Sequence, residues 1–191
     1  MAGNRHPQVK QVLLVLTDGF EEIEAVTPID ILRRAGLEVL VAGLDKKDVV
    51  GSHGIRLTAD ILLKDVKIIP AAVVLPGGPG AARLGKSKEL KTILQFLLSK
   101  GKTVAAICAA PGVVLAAHGF LRGKKSTCFP GYEKALKTGG AIFSARRVVT
   151  DGFLITSRGA GTALEFSLEL VRKLARPKKA FEIAEKILAR A

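Results

Sequence analysis

Cys108 ends the apolar run TVAAIC (103–108), and Ala109, Ala110 and Pro111 follow it. A thiol between a strand end and a helix start can accept backbone N–H hydrogen bonds. It also feels the positive field of the helix N-terminus, and both effects favour the nucleophilic thiolate. The small residues after it permit a sharp turn and predict an accessible sulfur. The same pattern fits an inert cysteine filling a strand end, because free cysteines are commonly buried. The residues alone leave these two readings level. The acids of EEIE (21–24) are a second candidate group. On a helix, Glu21 and Glu24 share a face and Glu22 points elsewhere. An inward carboxyl in low dielectric would have a raised pKa and, when protonated, would donate to a thiolate. The plainer reading, three exposed acids at a helix N-terminus, is favoured by the pattern taken alone. GGPG (77–80) is either a simple turn or a set of N–H donors for a developing oxyanion.

Other chemistries find less support. GGPG lacks the spacing and the Lys-Ser/Thr ending of a phosphate-binding loop, and GAGT (159–162) does not complete a dinucleotide fingerprint. ATP and NAD are therefore not expected. Cys108 and Cys128 make no disulfide framework and lack the companions of a zinc site. His6, His53 and His118 are scattered, which fits surface or partly packed residues. No cofactor and no metal are expected.

The 191 residues are 48% apolar, enough for a sizeable core. With no Trp and a single Tyr, Tyr132, an aromatic binding platform is not expected. The formal charge is +13, from 30 Lys and Arg against 17 Asp and Glu. These cations are spread along the chain without interleaved aromatics, which favours a solvated basic surface over a nucleic-acid site. No signal peptide and no run of about 18 apolar residues is present, so a cytoplasmic protein without membrane insertion is expected.

The elements that would position these residues alternate. VLLVL (12–16) reads as a strand, Glu21 to Arg34 as a helix stopped by Gly36, and LEVLVAG (37–43) as a second strand. A hairpin is expected around GIRLTA (54–59), and AAVVLP (71–76) gives a third core strand. GGPGAARLG (77–85) reads as a loop, Ser87 to Ser99 as a helix, and TVAAIC as a strand. A helix from Pro111 to His118 follows. AIFSARRVV (141–149) and FLITS (153–157) read as paired strands around a turn at Asp151 and Gly152. Two amphipathic helices, broken at Arg176 and Pro177, end the chain. This order predicts one three-layer α/β domain over 9–191, with a short polar extension at 1–8. Ligands in such sheets lie beyond the carboxyl ends of the strands. Asp18 to Glu24, Gly77 to Gly80, Cys108 to Ala110 and Ser157 to Gly161 fall there.

LTDGFEEIEAVTPIDILRRAG (16–36), VVLPGG (73–78), AAICAAP (105–111) and TSRGAGTALEF (156–166) together resemble the DJ-1/PfpI family, in particular its Parkinsonism-associated protein deglycase branch. The match spans nearly the whole chain in the family's order. It implies a flavodoxin-like three-layer sandwich with a mostly parallel sheet, a nucleophile elbow and a homodimer. It assigns the reactive cysteine to Cys108, its partner acid to Glu24, and the oxyanion N–H groups to Gly78 and Ala109. The implied activity is a cofactor-independent glyoxalase or deglycase that converts methylglyoxal or its early adducts to lactate through a cysteine hemithioacetal. The alternatives are a redox-responsive, chaperone-like homodimer and a cysteine peptidase or amidotransferase-like hydrolase. The chain departs from the family's pattern in two places. Phe129-Pro130 stands where animal relatives often carry a histidine before proline, and His53 stands where they carry an arginine near the cysteine pocket. The first departure weakens the hydrolase reading. Cys128 lies beside it, as a bystander or a resolving thiol. Arg33 and Arg34 match a dimer-facing region of relatives, or else serve as one solvated and one salt-bridged helix-end residue.

Overall fold

The structure, a computed structural model, describes residues 10–189. The polar stretch 1–8, with His6, lies outside the described residues. In chain order the elements are β1 (Gln11–Leu16), α1 (Glu22–Arg34), β2 (Glu38–Gly43), β3 (Asp48–Val50), β4 (Arg56–Thr58), β5 (Ile61–Leu62), β6 (Ala72–Leu75), α2 (Ala81–Lys86), α3 (Lys88–Ser99) and β7 (Thr103–Ile107). A π-helical segment (Pro111–Ala116) follows, then β8 (Lys125–Ser126), α4 (Glu133–Thr138), β9 (Ile142–Phe143), β10 (Val148–Asp151), β11 (Leu154–Ser157), α5 (Ala163–Leu174) and α6 (Pro177–Lys186).

Seven strands form one sheet in the order β10-β11-β7-β6-β1-β2-β5. Only the β10–β11 pair is antiparallel. This is the α/β three-layer sandwich expected. The alternation along β1 builds both faces of the core. Val12, Leu14 and Leu16 pack with Ile31 and Leu32 of α1 and with Phe166 and Leu170 of α5. Leu13 and Val15 face the opposite layer, with Leu90, Leu94 and Leu97 of α3 and Leu136 of α4. All five β1 residues from Val12 to Leu16 are fully buried, as a strand covered on both faces requires. Ser87 starts α3 by accepting from the N–H of Leu90, and spacing of three and four residues turns its leucines onto one stripe. Removing Leu94 to Ala would cost about 2–5 kcal/mol through the cavity left behind.

Several details differ from the expectations. GGPGAARLG is not all loop, because α2 begins at Ala81. The expected helix after Pro111 is π-helical, with the N–H of Ala117 bonded to the carbonyl of Gly112. AIFSARRVV splits into β9 and β10, and only β10 pairs with β11. The GIRLTA hairpin forms as β3–β4, followed by the short edge strand β5. No helix among the described residues is long and apolar enough to cross a membrane.

Strands β11, β7, β6 and β1 are sheet neighbours and end on the same edge. Their carboxyl ends therefore deliver Gly159, Cys108, Gly77 and Asp18 to one crevice. The topology, with β6 between β1 and β7, joins segments far apart in sequence.

Candidate active site

Cys108 follows the last residue of β7 with φ at +65°, a left-handed conformation that non-glycine residues rarely adopt. Its N–H donates to the carbonyl of Ser157 at 3.0 Å, and its carbonyl accepts from the N–H of Phe129 at 2.9 Å. Two neighbouring segments thus clamp the strained residue on both sides. The geometry is that of a strand-to-helix elbow, and it decides between a regular strand-end cysteine and a turn residue. The sulfur is half-buried rather than freely open.

Glu24 lies in the first turn of α1 and is almost fully buried. The Gly77 N–H donates to its Oε2 at 2.8 Å, while its Oε1 has no hydrogen-bond partner. Burial pushes the carboxyl up to about 7, against the Gly77 bond and a hydrogen bond with Cys108. The thiol is also pushed up, to about 12, first by burial and then by the Glu24 charge; the N–H groups of Gly78 and Ala109 act on the sulfur in the opposite direction. Burial and the neighbouring carboxylate thus act against the thiolate, and the two backbone N–H groups act for it. When Glu24 holds a proton, its repulsion is gone and it becomes a donor to sulfur.

All four residues expected at the site converge. The third, Gly78, has φ at +84°, and a β-carbon there would lie 2.7 Å from the Glu21 nitrogen. Only glycine lets this loop pack against the turn that leads into α1. Ala109, the fourth, is buried behind the elbow. Gly77 was not singled out from the sequence. A β-carbon on it would lie 2.5 Å from Cys108 Cβ, 2.8 Å from Glu24 Oε2 and 2.9 Å from Cys108 Sγ. The signal for it was the glycine pair itself, whose need for close approach depends on a neighbour 31 positions away.

The reading of EEIE as three exposed acids fails at two positions. Glu22 is buried as well as Glu24. The His53 N–H donates to Glu22 Oε1 at 2.6 Å, His53 Nδ1 lies 2.9 Å from Oε2, and Ser52 Oγ donates to Oε2 at 3.1 Å. Burial works to raise the Glu22 pKa, but these bonds outweigh it and hold the group at about 2. Glu21 caps α1 by accepting from the Ile23 N–H. Glu21, Glu22 and His53 bring metal-ligating atoms within 4.8 Å of one another, and their own hydrogen bonds satisfy them. His53 thus serves the helix start. His118 packs against Phe120. Among the described residues no histidine is hydrogen-bonded to Cys108, so no Cys-His pair forms. Cys128 is fully buried. Arg34 pairs with Asp30 at 2.8 Å, and Arg33 donates to the Val39 carbonyl.

Residues 10–173, which include the strained cysteine and the buried glutamate, match the DJ-1/PfpI family. The chain belongs to that family. It is 41% identical over 181 residues to Protein DJ-1 homolog B of Arabidopsis thaliana, covering 93% of this chain and 41% of that protein. It thus spans under half the length of that relative. It is 36% identical over 173 residues to Glutathione-independent glyoxalase DJR-1.2 of Caenorhabditis elegans, covering 90% of this chain and 92% of that protein. Among solved structures, oxidized Toxoplasma gondii DJ-1 superposes with a TM-score of 0.91 at 36% identity, over 96% of this chain and all of the other.

Proposed function

We propose that the protein is a cofactor-independent glyoxalase, acting on methylglyoxal or its early adducts. The observation that carries this reading is Glu24, a buried carboxyl packed with Cys108 Sγ against Gly77, its pKa pushed up to about 7 by burial. Likeness to a relative named as a glutathione-independent glyoxalase supports it. The sulfur attacks the aldehyde carbon, an S–C bond forms, and the carbonyl π bond breaks. The thiol proton ends on the former aldehyde oxygen, which lies towards the Gly78 and Ala109 N–H groups. Glu24 removes the hydrogen from that carbon and returns a proton to the neighbouring carbon, while the hydroxyl proton passes to the neighbouring ketone oxygen and the carbonyl re-forms at the sulfur-bearing carbon. This converts the hemithioacetal to a thioester of lactate. Water then cleaves the thioester, releasing lactate and the free thiol. Overall, methylglyoxal and water give lactic acid with no net oxidation.

Early adducts of methylglyoxal with amines or thiols would enter by the same carbon, with the amine or thiol released, protonated, as the Cys108 S–C bond forms, which is the deglycase form of this activity. Two copies of the chain, as the resemblance implies, would each carry a complete site. The test is lactate formation from methylglyoxal without glutathione, comparing wild type with Cys108→Ser and Glu24→Gln. A loss of about 10²-fold or more in both variants is expected. Equal lactate production by wild type and Cys108→Ser would sink the scheme.

The donors around sulfur favour a second reading, a redox response at the same residue. Peroxide would deliver one oxygen to sulfur and leave as water, and a second peroxide would give the sulfinate. The Gly78 and Ala109 N–H groups and a protonated Glu24 are suitable donors to that product. Intact-mass measurement under limiting peroxide tests it, and failure of Cys108 to gain two oxygens ahead of Cys128 would count against it.

A further inference from the structure

The mouth of the crevice carries an apolar ring that the scheme above does not use. Phe129 is 46% exposed, although it follows the fully buried Cys128. An isolated exposed phenylalanine is ordinary. This one is tied to the elbow, because its N–H donates to the Cys108 carbonyl at 2.9 Å. Its ring lies over Gly159, with Cδ2 3.0 Å from the place a β-carbon would occupy. That same place is 3.8 Å from Glu24 Oε1, the buried oxygen without a partner. On the other side of the carboxyl, Oε2 and Cys108 Sγ both lie within 2.9 Å of the corresponding point on Gly77. The exposed ring and the free carboxyl oxygen thus flank the same point on Gly159, and the ring's own backbone is bonded to the Cys108 elbow.

We propose that Phe129 is a specificity-determining residue that selects carbon electrophiles bearing an aryl substituent, aryl α-oxoaldehydes among them, at Cys108. The proposal rests on the glyoxalase reading for its substrate class. A substrate bonded to sulfur through its aldehyde carbon places the next carbon beside Glu24, and the substituent on that carbon reaches the Phe129 ring. A methyl group covers little of that ring. A phenyl group stacks on its exposed side in an offset or edge-on arrangement and removes water from the two surfaces that meet. Gly159 presents only backbone beneath the ring. An aryl group is thus worth about tenfold in reaction at Cys108 over a methyl or amide group.

The experiment separates this wall from turnover. Alkylation of Cys108 by iodoacetanilide and by iodoacetamide is timed by peptide mapping, and each rate is divided by the rate for free glutathione thiolate. Turnover of phenylglyoxal and methylglyoxal is measured in parallel. Wild type is expected to favour the anilide, and phenylglyoxal in kcat/KM, by about tenfold. Phe129→Ser should lose both preferences, and Phe129→Leu should keep part of each. Circular dichroism checks that both variants retain the fold. Equal normalised rates for wild type and Phe129→Ser overturn the proposal. An anilide preference that depends on Phe129, without turnover of either dicarbonyl, supports the wall and overturns the glyoxalase reading instead.

Discussion

The Gly77 N–H holds one oxygen of Glu24 at 2.8 Å, and the same glycine leaves no room for a β-carbon between that oxygen and Cys108 Sγ. One backbone position thus sets the orientation of the acid and its contact with sulfur. Gly77→Ala should destabilise the fold by about 1–3 kcal/mol through overpacking. It should also slow iodoacetamide alkylation of Cys108 by about tenfold or more, because the added methyl meets the cysteine itself. Chemical denaturation and timed alkylation check both. Wild-type alkylation in a correctly folded Gly77→Ala protein would contradict the close packing.

The raised Glu24 pKa makes stability depend on pH. The native carboxyl keeps its proton up to about 7, whereas the unfolded group releases it near 4.5. In that window the native state binds more protons, so stability falls as pH rises from 4.5 through 7. The full effect is roughly 3 kcal/mol. Urea unfolding across pH 4–8 should show this decline in wild type and its absence in Glu24→Gln. Parallel stability curves for the two proteins would exclude a buried, proton-holding Glu24.

Much of this architecture is legible in the residues. VLLVL reads as a covered strand from its shortness and its TDG flank, and the Leu90, Leu94 and Leu97 spacing reports a helix face. The elbow is legible as a possibility, from Cys108 followed by small residues and Pro111. Its pairing with Glu24 is not, because the contact exists only once β6 and β1 lie beside β7. The resemblance supplied that proximity, and the geometry agrees with it. The short helices α2 and α4 have six residues each, too few to display a period. The burial of Glu22 has no local signal, since its partners Ser52 and His53 come from the loop between β3 and β4. The desolvation that raises the Cys108 pKa has no local signal either, because a strand end before a helix does not report what covers the sulfur.

The Glu22–His53 contact predicts a different acid response. Glu22 is held at about 2 although burial opposes this, chiefly through hydrogen bonds from the His53 side chain and N–H. A carboxyl lowered on folding gives stability that is present above 4.5 and lost as pH falls towards 2. His53→Ala removes the side-chain bond while leaving the N–H in place. Acid unfolding followed by circular dichroism should therefore begin at a higher pH in His53→Ala than in wild type. Coincident acid transitions would show that the exposed imidazole contributes nothing to the helix start.

The backbone of Cys108 supplies the most direct test of the elbow. At φ +65° a side chain of any kind carries a steric cost, so Cys108→Ala retains the strain and Cys108→Gly relieves it. Both variants lack the sulfur and lose chemistry at this position equally. Their stabilities should nevertheless differ, with the glycine variant more stable by about 1 kcal/mol. For a chain of this length that corresponds to a Tm higher by about 2–4 °C. In a regular strand the order would be reversed, because glycine there costs conformational entropy and removes a packed methyl group. A Tm for Cys108→Gly below that of Cys108→Ala would thus show that residue 108 is an ordinary strand end, and the nucleophile assignment would lose its structural basis.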